Sequence, residues 1–449
     1  MVFLVLGNVK GQSLEPLAID NLWKSDAFLR AYTGSYGVDS NIEPLIREDE
    51  EWLLKEVARL MKSNNRKGAI IKLVNSSLTP KRAPLQFSLG NLYFEDDQPL
   101  LAIKHFTNAV KMFPNFRDAH RNLAMVYTKE DKMDDAEQHL IRAVELGSKE
   151  GLTFGLLAHV HSQKERYQAA LASYRLAQVT MPKERQWVLG EAYTLHALKQ
   201  YKEASSVYDA LLQKTPTDTT LWINQANTYL QMGQFDKAIA NFEMVNRMGK
   251  LSSTNVFFLG QLYLQAGFPR TAFEYFSDSI ASNEINFSNA TIAMVSFVSG
   301  SHWKEAEEFN NMCKLFYKDN FESEDEKVQI TVVRFERALA FLELETGKNE
   351  SGAKRVEKII ENNPLDGEAL ILLSRFHEAE KNYDHAIDLL EQAALISDVR
   401  AKALYRHGLI LVNQFGDYEE ALRLLEQSFQ LDAQPSLASY ITELRVFVK

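Results

Sequence analysis

Apolar and small residues return every three or four positions inside blocks of about a dozen residues. The blocks come in pairs, and the pairs recur at a period of 34 residues. The clearest pair reads Leu89-Gly90-x-x-Tyr93, then Ala102, Phe106, Ala109 and Pro114. Moving the window by 34 residues gives Leu123, Ala124, Tyr127, Ala136, Leu140 and Ala143. Further steps reach Leu157, Ala158, Ala170, Tyr174 and Ala177, then Ala192, Ala204 and Tyr208. The frame continues through Trp222, Ala226, Tyr229, Ala238 and Phe242, and through Leu259, Gly260, Tyr263, Ala272 and Phe276, to Phe297, Ala306 and Cys313. The spacing inside each block predicts an amphipathic helix, and Pro114, Pro182, Pro216 and Pro364 stop the second helix of a pair. Two such helices cannot bury an apolar face alone, so each pair must lean on the next. The pattern predicts an all-α solenoid.

The boundaries follow from where the frame holds. Residues 83–320 hold seven consecutive units, and the acidic stretch at 321–333 is expected to be a surface insertion. A degenerate repeat over 334–366 has its first helix near 338–344 and its second near 352–360. Two clearer units fill 367–434, and a capping helix fills 435–449. Residues 14–82 are an N-terminal extension that includes a capping helical pair. Small residues at Gly90, Ala124, Ala158, Ala226 and Gly260 let the helices of a pair approach closely, and the tyrosines at 93, 127, 229 and 263 have core spacing.

Composition narrows the function. The chain carries 60 acidic against 50 basic residues, a net charge of -10, which disfavours a nucleic-acid backbone as the main partner. The single cysteine, Cys313, excludes an intramolecular disulfide framework or a cysteine-clustered metal site, and it occupies a packing position. No apolar run is long enough to cross a membrane. Residues 1–13 open with a short apolar run that matches the end of an export signal, so a periplasmic or cell-envelope location is expected, with the cytoplasm as the alternative. No phosphate loop, dinucleotide fingerprint, zinc-protease motif or nucleophile elbow is present. No enzyme activity, cofactor or metal is therefore expected.

These offsets resemble the tetratricopeptide repeat family, over 83–320 and again over 367–435, and residues 116–124 are similar to bacterial members. The resemblance implies a right-handed superhelix whose first helices line a concave groove for a peptide or helix of a partner protein. It places the groove at Phe87, Asn91 and Phe94, at Arg121, Met125 and Lys129, and at His159 and Gln163. In later repeats it adds Tyr193 and His196, then Ile223, Asn227 and Gln231, then Phe257, Gln261 and Gln265. The alternative is that Phe87, Ile223 and Phe257 are covered by the chain's own N-terminal segment or by a neighbouring turn. Asn91 and Asn122 match the two asparagines with which some members clamp a chaperone's acidic tail, but Phe87, Leu152 and Leu156 stand where the clamp needs basic residues. The functional expectation is a protein-binding scaffold. The alternatives are an architectural subunit using its convex face or ends, and a regulatory subunit of an enzyme.

Overall fold

The structure, a computed structural model, describes residues 41–448. The described residues divide into two compact units, 41–245 and 246–448. In the first unit, α1 (Glu48–Lys62) and α2 (Arg66–Val74) precede five hairpins. These are α3 (Ala83–Glu95) with α4 (Pro99–Met112), α5 (Arg117–Lys129) with α6 (Met133–Glu145), and α7 (Gly151–Gln163) with α8 (Tyr167–Thr180). Then come α9 (Arg185–Ala197) with α10 (Tyr201–Lys214), and α11 (Thr219–Gln231) with α12 (Phe235–Arg247). The second unit holds α13 (Ser253–Gln265) with α14 (Pro269–Ala281) and α15 (Phe287–Ser299) with α16 (Trp303–Phe316). A single turn, α17 (Lys318–Phe321), leads to α18 (Glu326–Glu345) with α19 (Asn349–Asn362) and α20 (Gly367–Ala379) with α21 (Tyr383–Ala394). The last elements are α22 (Arg400–Ile410), α23 (Tyr418–Leu431) and α24 (Pro435–Leu444). No strand occurs among the described residues. Within each unit the hairpins stack on their sequence neighbours, which makes the fold an all-α solenoid of helix-turn-helix repeats.

The reversal inside each hairpin follows one rule. A left-handed residue ends the first helix at Asp97, Asp131, Glu165, Lys199, Gly233, Gly267 and Ser301, a constant spacing of 34, and again at Gly347 and Lys381. The following amide closes back across the turn, as Gln98 N–H does onto Tyr93 O at 2.9 Å. Only two of the first seven are glycine, so the fold holds most of these reversals in a conformation that other residues disfavour.

Packing across each hairpin pairs a small residue on the first helix with a large one on the second. A Cβ placed on Gly90 would lie 2.7 Å from the Phe106 ring, and one on Gly260 would lie 2.5 Å from Phe276. These glycines set how closely the two helices meet. Three tyrosines of the expected stripe are half-buried and stack on the partner helix: Tyr93 on His105, Tyr127 on His139 and Tyr263 on Tyr275. Cys313 is buried in the core of the second unit.

The expected surface insertion at 321–333 is corrected. Asp325 caps α18 by accepting from the backbone N–H of Lys327 at 2.8 Å and of Val328 at 3.3 Å. From Glu326 the chain is helical, so the first helix of this repeat runs for 20 residues rather than starting near 338. Val328, Val332, Phe335 and Leu339 recur at helical spacing and pack into the core. There Phe335 meets Phe287 at 5.9 Å and Phe321 at 5.3 Å between ring centroids. The acidic residues lie at the positive end of the helix, where their charge is stabilised. At the C-terminus, α24 packs Leu437, Ile441 and Leu444 against Ala421 and Leu425. Residues 1–13, expected to carry the end of an export signal, lie outside the described residues.

Candidate functional site: the faces of the first helices

In the first unit, several residues expected to line a groove are part of the core instead. Phe87 is 0% exposed, with its ring 4.9 Å from Phe116 and 5.7 Å from Phe106. Met125, Asn227, His159 and Phe94 are buried as well. On α5 every residue from Asp118 to Val126 is buried, so this helix has no open face over that stretch. Side chains from neighbouring helices fill the space that the repeat rule assigns to a partner. Phe87 is covered in this way, and Ile223 is half-buried. Gln163, Gln231 and Lys129 remain exposed, while Asn91, Tyr193 and His196 are half-buried.

The polar members of the line pair with one another. Asn122 Nδ2 donates to Asn91 Oδ1 at 2.9 Å, so the two asparagines matching the clamp positions satisfy each other. Arg121 is 1% exposed. Its Nε donates to Asn122 Oδ1 at 3.0 Å, and its Nη1 pairs with Glu150 and lies 3.5 Å from Asp118. Lys129 pairs with Asp97 at 2.6 Å and stands 5.4 Å over the Phe94 ring. Burial holds His159 and His196 in the neutral form, each pKa pushed down to about 4.

The start of α5 carries a strap from upstream. Arg117 N–H donates to Ile42 O at 3.2 Å, and the Arg117 guanidinium reaches Glu43 at 2.9 Å and Asp118 at 3.2 Å. Glu43 is only 2% exposed and Pro44 is buried. Residues 42–44 of the chain's own N-terminal segment are thus tied to the start of α5.

The second unit is different. Phe257 is buried, 5.2 Å from Phe276, whereas Gln261 is half-buried and Gln265 exposed. Beyond them α15, α18 and α20 bound an open cavity of about 280 Å³. Its floor is apolar, built from Val295, Val298, Phe341, Ile371 and Leu372, and its walls carry Arg334, Arg337, Arg375 and Glu368. Arg337 pairs with Asp366 at 3.1 Å, and Glu368 with Lys402 at 2.6 Å. Arg375 pairs with Glu345 and stacks over Phe341 at 4.5 Å. Arg334 is exposed and makes no ion pair among the described residues.

None of these cavity residues was expected from the sequence, yet a signal for them existed. Arg334, Arg337 and Phe341 stand 34 residues before Glu368, Ile371 and Arg375, and Glu368, Ile371 and Arg375 fall second, fifth and ninth in α20. The fifth and ninth are positions at which groove residues of earlier repeats were placed. The acidic insertion displaced the frame and hid the equivalence.

Among the described residues no group of three or more His, Cys, Asp or Glu side chains is placed to hold a metal ion, and no helix is long and apolar enough to cross a membrane.

Comparison with known proteins places the chain in a class. Tetratricopeptide repeat profiles match residues 87–150, 156–219 and 337–401, and related profiles of the same repeat match 195–248 and 401–435. Together the matches cover more than half of the chain, and the protein belongs to the tetratricopeptide repeat family. As a member of that family it is a protein-interaction scaffold, on a fold that is typically non-catalytic. Among solved structures it is similar to a tetratricopeptide repeat protein from Parabacteroides merdae, with 16% identity and a TM-score of 0.37 over 55% of this chain and 98% of that one. It is also similar to YrrB, a tetratricopeptide repeat protein with an unusual peptide-binding site, with 18% identity and a TM-score of 0.37 over 40% of this chain and 91% of that one. Pseudomonas aeruginosa pilF shows 15% identity and a TM-score of 0.37 over 51% of this chain and 96% of that one. No curated protein matches the chain.

Proposed function

We propose that this protein is an adaptor that captures a segment of a partner protein on the first-helix faces of its second unit. One observation carries the reading. Where the first unit fills several of its groove positions with its own side chains, α15, α18 and α20 leave an apolar floor open between charged walls. An apolar surface of this kind, rimmed by charge, is what a bound peptide covers. Capture from the native source with the full chain as bait tests it. Ile371→Glu, which puts a carboxylate into the floor, should abolish recovery of the partner, and because Ile371 also packs in the core, the milder Ile371→Ala should weaken recovery with the helical content unchanged. Recovery equal to that of the wild type would refute the assignment.

A second reading, an architectural subunit that uses its end, is favoured by α1 and α2. Trp52, Ile71 and Val74 are 60%, 58% and 52% exposed at the N-terminal hairpin. Replacing Trp52 and Ile71 by serine should dissociate any oligomer seen by light scattering. A wild-type monomer would count against this reading.

A further inference from the structure

The cavity that supports the proposed capture also carries information about what it captures. Its walls present three guanidinium groups and one carboxylate, and their internal pairing is uneven. Glu368 is neutralised by Lys402, and Arg337 is matched by Asp366. Arg375 is paired through one nitrogen with Glu345, but its Nη1 is buried and has no hydrogen-bond partner among the described residues. Arg334, on the facing helix α18, has no ion-pair partner there either. The site therefore holds one whole cation and one further cationic donor that the protein itself leaves unmet.

The geometry points to a partner segment in which an aspartate or glutamate is flanked by apolar residues. Its carboxylate would take the planar fork of the exposed Arg334, and its neighbours would cover Phe341, Ile371 and Leu372. A guanidinium matches a carboxylate with two parallel hydrogen bonds, and a half-enclosed apolar floor strengthens them. A basic segment would instead meet the unpaired charge of Arg334. The volume, at the low end of ligand pockets, suits two or three side chains rather than a folded surface. Lys129 of the first unit cannot play this part, because Asp97 already engages it, and Arg121 is buried.

This inference rests on the adaptor reading, and one experiment separates the two. A random peptide display library is selected on the full-length chain, and the enriched peptides are synthesised with a fluorescent label for Kd measurement. Enriched peptides should carry an acidic residue between apolar ones. Changing that residue to its amide, or making Arg334→Glu, should weaken binding by about tenfold or more, with Arg334→Lys recovering part of the loss. Arg334 is exposed and unpaired, so neither variant disturbs the fold. Peptides that lose binding with Ile371→Glu but are neutral or basic, or that are indifferent to Arg334→Glu, would overturn the acidic assignment and leave the adaptor reading standing. Failure to enrich any peptide that depends on Ile371 would overturn both.

Discussion

The contact of Gly260 with Phe276 allows a quantitative test of how the hairpins pack. A methyl group at Gly260 would sit 2.5 Å from one ring atom of Phe276 and 3.0 Å from two others. The ring cannot swing away, because Phe276 is fully buried with Phe257, Phe297 and Phe309 at 5.2, 5.7 and 6.1 Å between centroids. Gly260→Ala gains about 1 kcal/mol of helix propensity. Overpacking a filled core loses about 1–3 kcal/mol. The expected net result is a loss of about 1 kcal/mol. One repeat earlier Ala226 stands in the place of Gly260 and Phe242 in the place of Phe276, both fully buried, so a hairpin of this family can hold the larger pair at a wider spacing. The question is whether α13 and α14 can adopt that spacing once their neighbours are in place. Hydrogen exchange on α13 and α14 measures the local stability, which a global midpoint blurs in a repeat array. Gly260→Ala, Phe276→Leu and the double variant form a cycle. In it Phe276→Leu should relieve the alanine by about 1 kcal/mol or more. If Gly260→Ala instead stabilises by the full propensity gain and the cycle shows no coupling, the glycine is not there to admit the ring, and the packing argument fails.

Three further outcomes are expected. Lys199 holds a left-handed conformation at the α9–α10 turn with φ 61°, so Lys199→Gly should stabilise that hairpin by about 0.5–1 kcal/mol in urea titration despite the freer unfolded chain. His159 is neutral when folded, its pKa pushed down from 6.5 to about 4 by burial, so between those values the unfolded chain takes up a proton that the folded one refuses. Stability should therefore be intact above pH 6.5 and fall as the pH drops towards 4, by about 3 kcal/mol for this residue, and the slope should flatten in His159→Gln. Glu43→Gln removes the charge that Arg117 meets in the strap, so the Arg117 amide, which donates to Ile42 O, should exchange faster while amides of α20 are unchanged.

The fold was legible because it rests on local rules repeated many times. A small residue opposite a large one, a left-handed turn, and a proline after the second helix each leave a mark at fixed spacing. The inner positions of α5 and α7 therefore need no tertiary knowledge to be placed on helices, only the period. The one architectural error came where two signals conflicted. The acidic run at 322–326 looks like solvent-exposed loop by composition, whereas Val328, Val332 and Phe335 look like helix by spacing, and burial of the aromatic residues decides it.

The candidate site was legible only as a direction. Repeat position tells which way a side chain leaves its helix. It does not tell whether the space beyond is already taken, because that depends on residues from other helices. Phe87 points into Phe116 and Phe106, so its position is core, while Arg334 borders the open cavity. Occupancy is thus a property of pairs across hairpins, and a single sequence records it only where a partner can be guessed. Charge can be read in the same way. Asn91 and Asn122 have the right identities for a clamp but satisfy each other, whereas Arg334 and Arg375 have identities the period disguised and bonding capacity still open.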